Sequence, residues 1–253
     1  LYVTDYRFAG GNSVLACNEI EILLGAGLRV GMLQLDSPVR RAWAPLHPRA
    51  FDLALHPNAC VLSVLDEAVA RLTIVRHPTV LQFVEPVRAP ITTGEVVVIV
   101  NHPPVNPDGQ TALYDIEACV ANCEAVFGRT PVVAPESGVT RGLLDGLLDP
   151  GLVAPRDWNG VVGPGSGRAR QADPSRPPII GRHSLYEVTR WTPPDVPLVY
   201  PTDRSRDVRV LGGAGFAEKR LGRPVGDAWT VYPFGSKPVG EFLAEVDFWV
   251  YFY

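Results

Sequence analysis

The sequence predicts an α/β protein of two domains, each built on a parallel sheet. Three observations carry that expectation. Short β-branched runs alternate with segments of helical period, the order that leaves parallel strands with helices on their faces. The 24 glycines and 25 prolines suit a loop-rich α/β chain better than a helical bundle. One stretch, residues 163–178, holds no aliphatic packing residue beyond two alanines, and after it the pattern starts again. The expected domains are therefore residues 1–175 and 176–253.

The elements follow in order. Residues 1–5 read as a strand, followed by the turn Gly10-Gly11-Asn12-Ser13. A helix is expected from about residue 14 to 24, capped by Ser13 or Asn12, with Cys17, Ile20 and Leu24 as its packing stripe. Gly25 and Gly27 end it, and a second strand over 28–35 closes on Asp36. Residues 38–56 read as a loop. Strands at 70–75 and 95–100 each run into a histidine-proline pair, His77-Pro78 and His102-Pro103. Residues 114–127 form an amphipathic helix with Ile116, Cys119, Val120, Cys123 and Phe127 on one face. A strand at 131–134, a helix at 139–148 and a strand at 158–162 complete the first domain. The second offers strands at 179–181, 208–211 and 229–232, a helix at 239–245 and a strand at 248–252. Both ends read as strands, so the chain is expected to continue in its gene and its second domain to be incomplete here.

Composition narrows the function classes. With 46% hydrophobic and 20% charged residues the chain is not a disordered one. A net charge of −4 argues against a nucleic-acid surface. All basic residues except Lys219 and Lys237 are arginines, which suit phosphate recognition but also follow from genomic base composition, the plainer reading. Four cysteines in a chain this long form no disulfide framework. Cys119 and Cys123 lie one helical turn apart but have no second Cys/His pair with zinc spacing, so they read as core packing and no metal is expected. Reduced thiols, the lack of an apolar run of about 18–20 residues and no expected secretory signal point to the cytoplasm. Arg40, Arg41, Trp43 and Arg49 offer at most a weak contact with an anionic membrane surface and read better as a solvated loop.

In open parallel sheets ligands gather beyond the carboxyl ends of strands, near helix N-termini. Gly10 and Gly11 would let a backbone approach a ligand there, or simply make a strand–helix turn. Asp36 stands where a dinucleotide fold has its acidic residue, but the G-x-G-x-x-G fingerprint is absent. His77 and His102 each suit acid, base or hydrogen-bonding work. Either one alone reads as structural, and at least one of the two reads as functional. Arg182, after the first strand of the second domain, could grip a diphosphate together with Arg190, or the two could be surface arginines.

Taken together, these segments resemble glycosyltransferases of the GT-B fold, in the retaining family 4 class. The resemblance rests on Leu1-Tyr-Val-Thr-Asp5, Phe8-Ala-Gly-Gly-Asn-Ser13, residues 18–30, Ile179-Ile-Gly-Arg-His-Ser184 with Arg190-Trp191, Val208-Arg-Val-Leu-Gly-Gly213, and Phe242-Leu-Ala-Glu-Val-Asp247. It implies two Rossmann-like domains, the first holding the acceptor and the second a UDP- or GDP-sugar. It implies further that Gly10 and Gly11 border the donor phosphates and that Arg182 and Arg190 hold the diphosphate, Arg190 standing where the family has lysine. His102 would contact the transferred sugar. No Asp-x-Asp metal motif is present. The family's Glu-x7-Glu segment should follow the strand at 248–252, where the sequence stops. The implied activity is hexosyl transfer to a hydroxyl, without a cofactor. Alternatives are a nucleotide-sugar epimerase or NAD-dependent oxidoreductase, which Asp36 favours, and a glycosyltransferase-like binding protein without activity.

Overall fold

A computed structural model describes residues 1–8, 11–39, 44–83, 90–105, 112–161, 175–183, 199–233 and 236–250. The chain divides into two compact units, Leu1–Gly163 and Pro164–Tyr253.

The first unit is a six-stranded sheet in the order β3-β2-β1-β4-β5-β6. Its strands are β1 (Tyr2–Thr4), β2 (Val30–Gln34), β3 (Ala59–Leu62), β4 (Ala68–Arg76), β5 (Ile91–Val100) and β6 (Val132–Pro135), and every pair is parallel. Successive residues of a strand face opposite sides, so each central strand feeds two cores. Val3, Leu33, Val75 and Val98 pack on one side with Cys119, Cys123 and Phe127 of α3 (Ile116–Phe127). Tyr2, Met32, Ile74 and Ile99 pack on the other with Ala16, Cys17, Ile20 and Leu24 of α1 (Gly11–Gly25). Because both faces are covered, the central strands read as nearly unbroken apolar runs.

Local chemistry sets the helix ends. Asp115 caps α3 by accepting from Ala118 N–H at 2.9 Å, and Gly128 takes the left-handed conformation that ends it. Gly27, at φ 79°, turns the chain out of α1. Two further helices are α2 (Pro48–Ala54) and α4 (Gly138–Leu144), the latter capped by Ser137.

The second unit carries a four-stranded parallel sheet, β10-β7-β8-β9, from β7 (Ile179–His183), β8 (Asp207–Leu211), β9 (Trp229–Tyr232) and β10 (Phe248–Trp249). Its helices are α5 (Gly215–Leu221) and α6 (Val239–Ala244). Ile180, Tyr200, Val208, Val210 and Trp229 form the larger core cluster, and Ile179, Leu211, Phe242 and Val246 a smaller one. Two parallel-stranded sheets make this an α/β protein, as the alternation of elements predicts.

Several expectations need correction. Asn12 and Ser13 do not cap α1; the helix begins at Gly11 and includes both, because the Asn12 carboxamide is engaged with Thr4. Residues 158–161 are not a strand. Trp158 N–H reaches Pro135 C=O at 2.7 Å, and the Val161 carbonyl is taken by the Asn18 side chain instead of a neighbouring strand. Residues 38–56 are not all loop, since Pro48 opens α2 at the position where its missing N–H costs nothing. β3 and α5 are likewise additions to the expected set. Among the described residues no helix is long and apolar enough to cross a membrane.

Candidate functional site

The strand order fixes where a site can form. From β1 the chain winds outward through β2 and β3; β4, β5 and β6 lie on the other side. The reversal falls between β1 and β4, and in open parallel sheets a crevice opens there beyond the carboxyl ends of the strands. The residues leaving those ends are Asp5–Phe8 after β1, His77 after β4 and Asn101-His102 after β5, with α1 starting at Gly11.

A buried carboxylate anchors the first of these turns. Asp5 accepts from Arg7 backbone N–H at 3.0 Å, Arg7 Nε at 2.9 Å, Arg7 Nη2 at 2.7 Å, Gln34 Nε2 at 2.9 Å and Ser37 N–H at 2.9 Å. Burial pushes its carboxyl upward, but the Arg7 guanidinium and the Ser37 and Gln34 donors outweigh burial and leave it below the ordinary aspartate value. The same arginine pairs with Asp36 at 3.0 Å, so the acidic residue after β2 is held by the protein itself.

A second charged cluster lies beneath the crevice. Arg76, fully buried, donates from Nη1 to Glu19 at 2.7 Å and from Nη2 to Glu136. Tyr2 Oη donates to the other Glu19 oxygen at 2.6 Å, and Trp158 Nε1 reaches Glu19 at 3.3 Å. One guanidinium thus ties α1, β4 and the end of β6 together. Burial raises Glu136 even though Arg76 draws it down. Breaking such a cluster by removing one partner costs about 3–5 kcal/mol, because it leaves an uncompensated buried charge.

The two histidines come together. Their ring centroids are 6.0 Å apart, and Phe8 stacks on His77 at 4.4 Å. His77 is buried and has φ 72°, a left-handed backbone that costs a non-glycine residue about 1–3 kcal/mol and persists only where its surroundings enforce it. They do so here: His77 Nδ1 bonds Thr79 Oγ1 at 2.6 Å, and Thr79 Oγ1 bonds Ser37 Oγ at 2.6 Å. His102 is exposed, and its Nδ1 faces the Pro103 carbonyl at 3.0 Å. A carbonyl only accepts, so Nδ1 carries a proton toward it, and in the neutral form of the ring the lone pair is on Nε2. The main chain of His102 is fixed too, its carbonyl accepting from Tyr114 Oη at 2.5 Å.

Of the residues singled out from sequence, His102 and His77 meet at this crevice. Gly11 opens α1 beside it, with open space where a Cβ would stand. Gly10 and Arg190 lie outside the described residues, as do Arg40, Arg41 and Trp43. Arg182 belongs to the second unit. Its side chain is buried, donates to Tyr200 Oη at 3.1 Å and lies over that ring. Tyr200 Oη in turn donates to Val250 C=O at 2.8 Å. As placed, the guanidinium is closed off from solvent. Gly212 and Gly213, at φ 124° and 92°, direct both N–H groups onto the Tyr232 carbonyl and make the turn after β8.

Cys119 and Cys123 lie in the core under the sheet, where burial pushes both thiols up to about 12. Among the described residues no three or more His, Cys, Asp or Glu side chains cluster as metal ligands. The sequence reading missed Phe8, Asn101, Thr79, Arg76 and Glu136. Asn101 and Arg76 each immediately precede a histidine that was singled out, and that adjacency was the available signal. Glu19 and Glu136 gave none, since nothing local marks a glutamate as buried.

No family model matches the chain, and no curated protein matches it.

Proposed function

We propose that the protein transfers a sugar from a UDP- or GDP-sugar to a hydroxyl acceptor, with retention of configuration. The observation that carries this reading is the histidine pair at the carboxyl ends of β4 and β5, beside the start of α1. In the reaction a bond forms between the acceptor oxygen and the anomeric carbon, the bond to the diphosphate breaks, and the hydroxyl proton is lost. A neutral His102 with its lone pair on Nε2 suits contact with a sugar hydroxyl, and backbone N–H groups at Gly11 suit an anion. Arg182 and Arg190 are assigned to the diphosphate; for Arg182 that role requires its buried guanidinium to become accessible. The test is binding and hydrolysis by the full chain across common UDP- and GDP-sugars. Saturable binding weakened about tenfold or more by His102→Ala supports the reading. No binding to any of them removes it.

A nicotinamide oxidoreductase is the second reading, favoured by the strand order of the first unit, which is that of dinucleotide-binding domains. Against it stands the absent G-x-G-x-x-G fingerprint; Asp36 pairs with Arg7 and Gln34 but its side chain remains 70% exposed. Calorimetry with NAD against UDP separates the two. Tight NAD binding that is lost in Asp36→Ala reverses the ranking.

A further inference from the structure

A chain of side-chain hydrogen bonds crosses the crevice of the first unit, and its direction is fixed from one end. Thr4 Oγ1 lies 2.9 Å from the Arg76 carbonyl. That carbonyl only accepts, so the threonine hydroxyl spends its single proton there. Toward Asn12, 3.1 Å away, Thr4 Oγ1 can therefore only accept, and the Asn12 atom facing it must be Nδ2. Asn12 then turns its Oδ1 toward Asn101, 3.1 Å away, so the Asn101 atom facing it must be Nδ2 as well. Each amide orientation follows from the one before it, beginning at a backbone carbonyl whose role is not in question.

The chain ends on Asn101 Oδ1, which is shut off from solvent and has no hydrogen-bond partner. Asn101 as a residue is half-buried and its neighbour His102 is exposed; as placed the oxygen itself is covered, and a ligand reaches it only by displacing that cover. An unmet buried acceptor destabilises the protein, and such a group needs a reason to persist. His102 supplies the second half of the pattern: with Nδ1–H committed to Pro103, the neutral form of its ring offers an acceptor at Nε2. Two consecutive residues thus each present an acceptor to whatever binds here, with the second Nδ2 hydrogen of Asn101 beside them.

We infer that Asn101 determines specificity in this site by accepting a hydrogen bond from a hydroxyl of an uncharged, polyhydroxylated ligand, with His102 Nε2 accepting from a second. This deepens the sugar-transfer reading and rests on it for the identity of the ligand. Thr4 and Asn12 are positioning residues: they touch no ligand but fix which way the Asn101 amide is turned.

The test follows the side-chain 15N signals of Asn101 and the ring nitrogens of His102 in the full chain by NMR. The probes are methyl β-D-glucopyranoside, tetrahydropyran, inorganic phosphate and methylammonium. The glycoside is expected to shift both residues in a saturable way, while tetrahydropyran, which has the ring without the hydroxyls, and phosphate leave them unmoved. Asn101→Ala weakens the glycoside by about tenfold or more. Thr4→Val, which frees the two amides to turn over, weakens it comparably without removing any group that touches the ligand. Circular dichroism melts show which variants are folded, and with Asn101→Ala unfolded the wild-type titration decides alone. Shifts with phosphate or methylammonium but not the glycoside overturn the inference, as do no shifts at all or unchanged glycoside binding in folded Asn101→Ala. Glycoside binding without transfer from any nucleotide-sugar removes the transferase reading and leaves this one standing. Transfer that is indifferent to Asn101→Ala does the reverse.

Discussion

At the scale of single residues, burial and hydrogen bonding set the reactivity of groups that look alike in sequence. Asp5 is fully buried, yet its donors hold its carboxyl below the ordinary value. A group whose folded pKa is depressed contributes stability that is present above the unfolded value, about 3.9 for aspartate, and lost as the pH falls through the folded one. Asp5→Asn is therefore expected to lower the melting temperature at pH 7, by the equivalent of about 2–3 kcal/mol. It should lower it much less below pH 3, where the wild type has begun to lose the same contribution. Equal melting temperatures at pH 7 would refute this. The cysteines divide by environment in the same way. Cys17 is pushed up to about 11 by burial, and Cys119 and Cys123 to about 12, while Cys60 is exposed on β3. A thiol reagent at pH 8 should modify Cys60 rapidly and the other three only on unfolding. Two or more fast thiols in the native chain would contradict the packing described.

At the scale of elements, the strands and helices that carry long apolar patterns were legible, and the contacts that orient them were not. The stripe Ile116, Cys119, Cys123 and Phe127 placed α3 because helical period alone decides which face is buried. The fully buried Arg76 could not be read in that way. Its partners lie 57 and 60 residues away, and only the folded sheet brings them to it. The short α2 and β3 were missed because four to seven residues carry too little period to separate from loop. The site was legible where it depended on residue type next to a strand end, as with His77 and His102. It was illegible where it depended on hydrogen-bond direction, as with Asn101. Close packing between elements gives a test of its own in the second unit. A Cβ on Gly181 would stand 2.5 Å from Val246 Cγ1 and 2.8 Å from its Cβ, so β7 accepts only glycine where Val246 packs over it. Gly181→Ala should cost about 1–3 kcal/mol, and Val246→Ala in the same chain should restore part of that loss. A double-mutant cycle with no coupling would show that the two do not meet.

At the scale of the whole molecule, the two units differ in how much core their described residues form, and that difference predicts how the protein comes apart. The first unit has six strands with buried clusters on both faces, its central strands covered by α1 on one side and α3 on the other. It also has the Arg76 cluster and the Asp5 knot, each closing contacts across distant parts of the chain. The second unit has four strands, one of them the two-residue β10, whose Phe248 and Trp249 stand 60% and 55% exposed. Among the described residues its larger cluster lies on one face and only a few fill the other. Stability follows the apolar surface removed from water, at about 25 cal/mol per Å², and sub-global opening begins where buried contacts are fewest. The second unit should therefore lose protection first. In urea, hydrogen exchange read by mass spectrometry should show peptides from β7 to β10 exchanging at lower denaturant than those from β4 and β5. The slowest amides of the molecule should lie in β4 and β5, where the parallel ladder is longest. A chain of residues 1–163 should then keep its own cooperative unfolding transition and its β4–β5 protection. A single transition shared by both units, with that shorter chain unfolded, would show instead that the first sheet depends on the second.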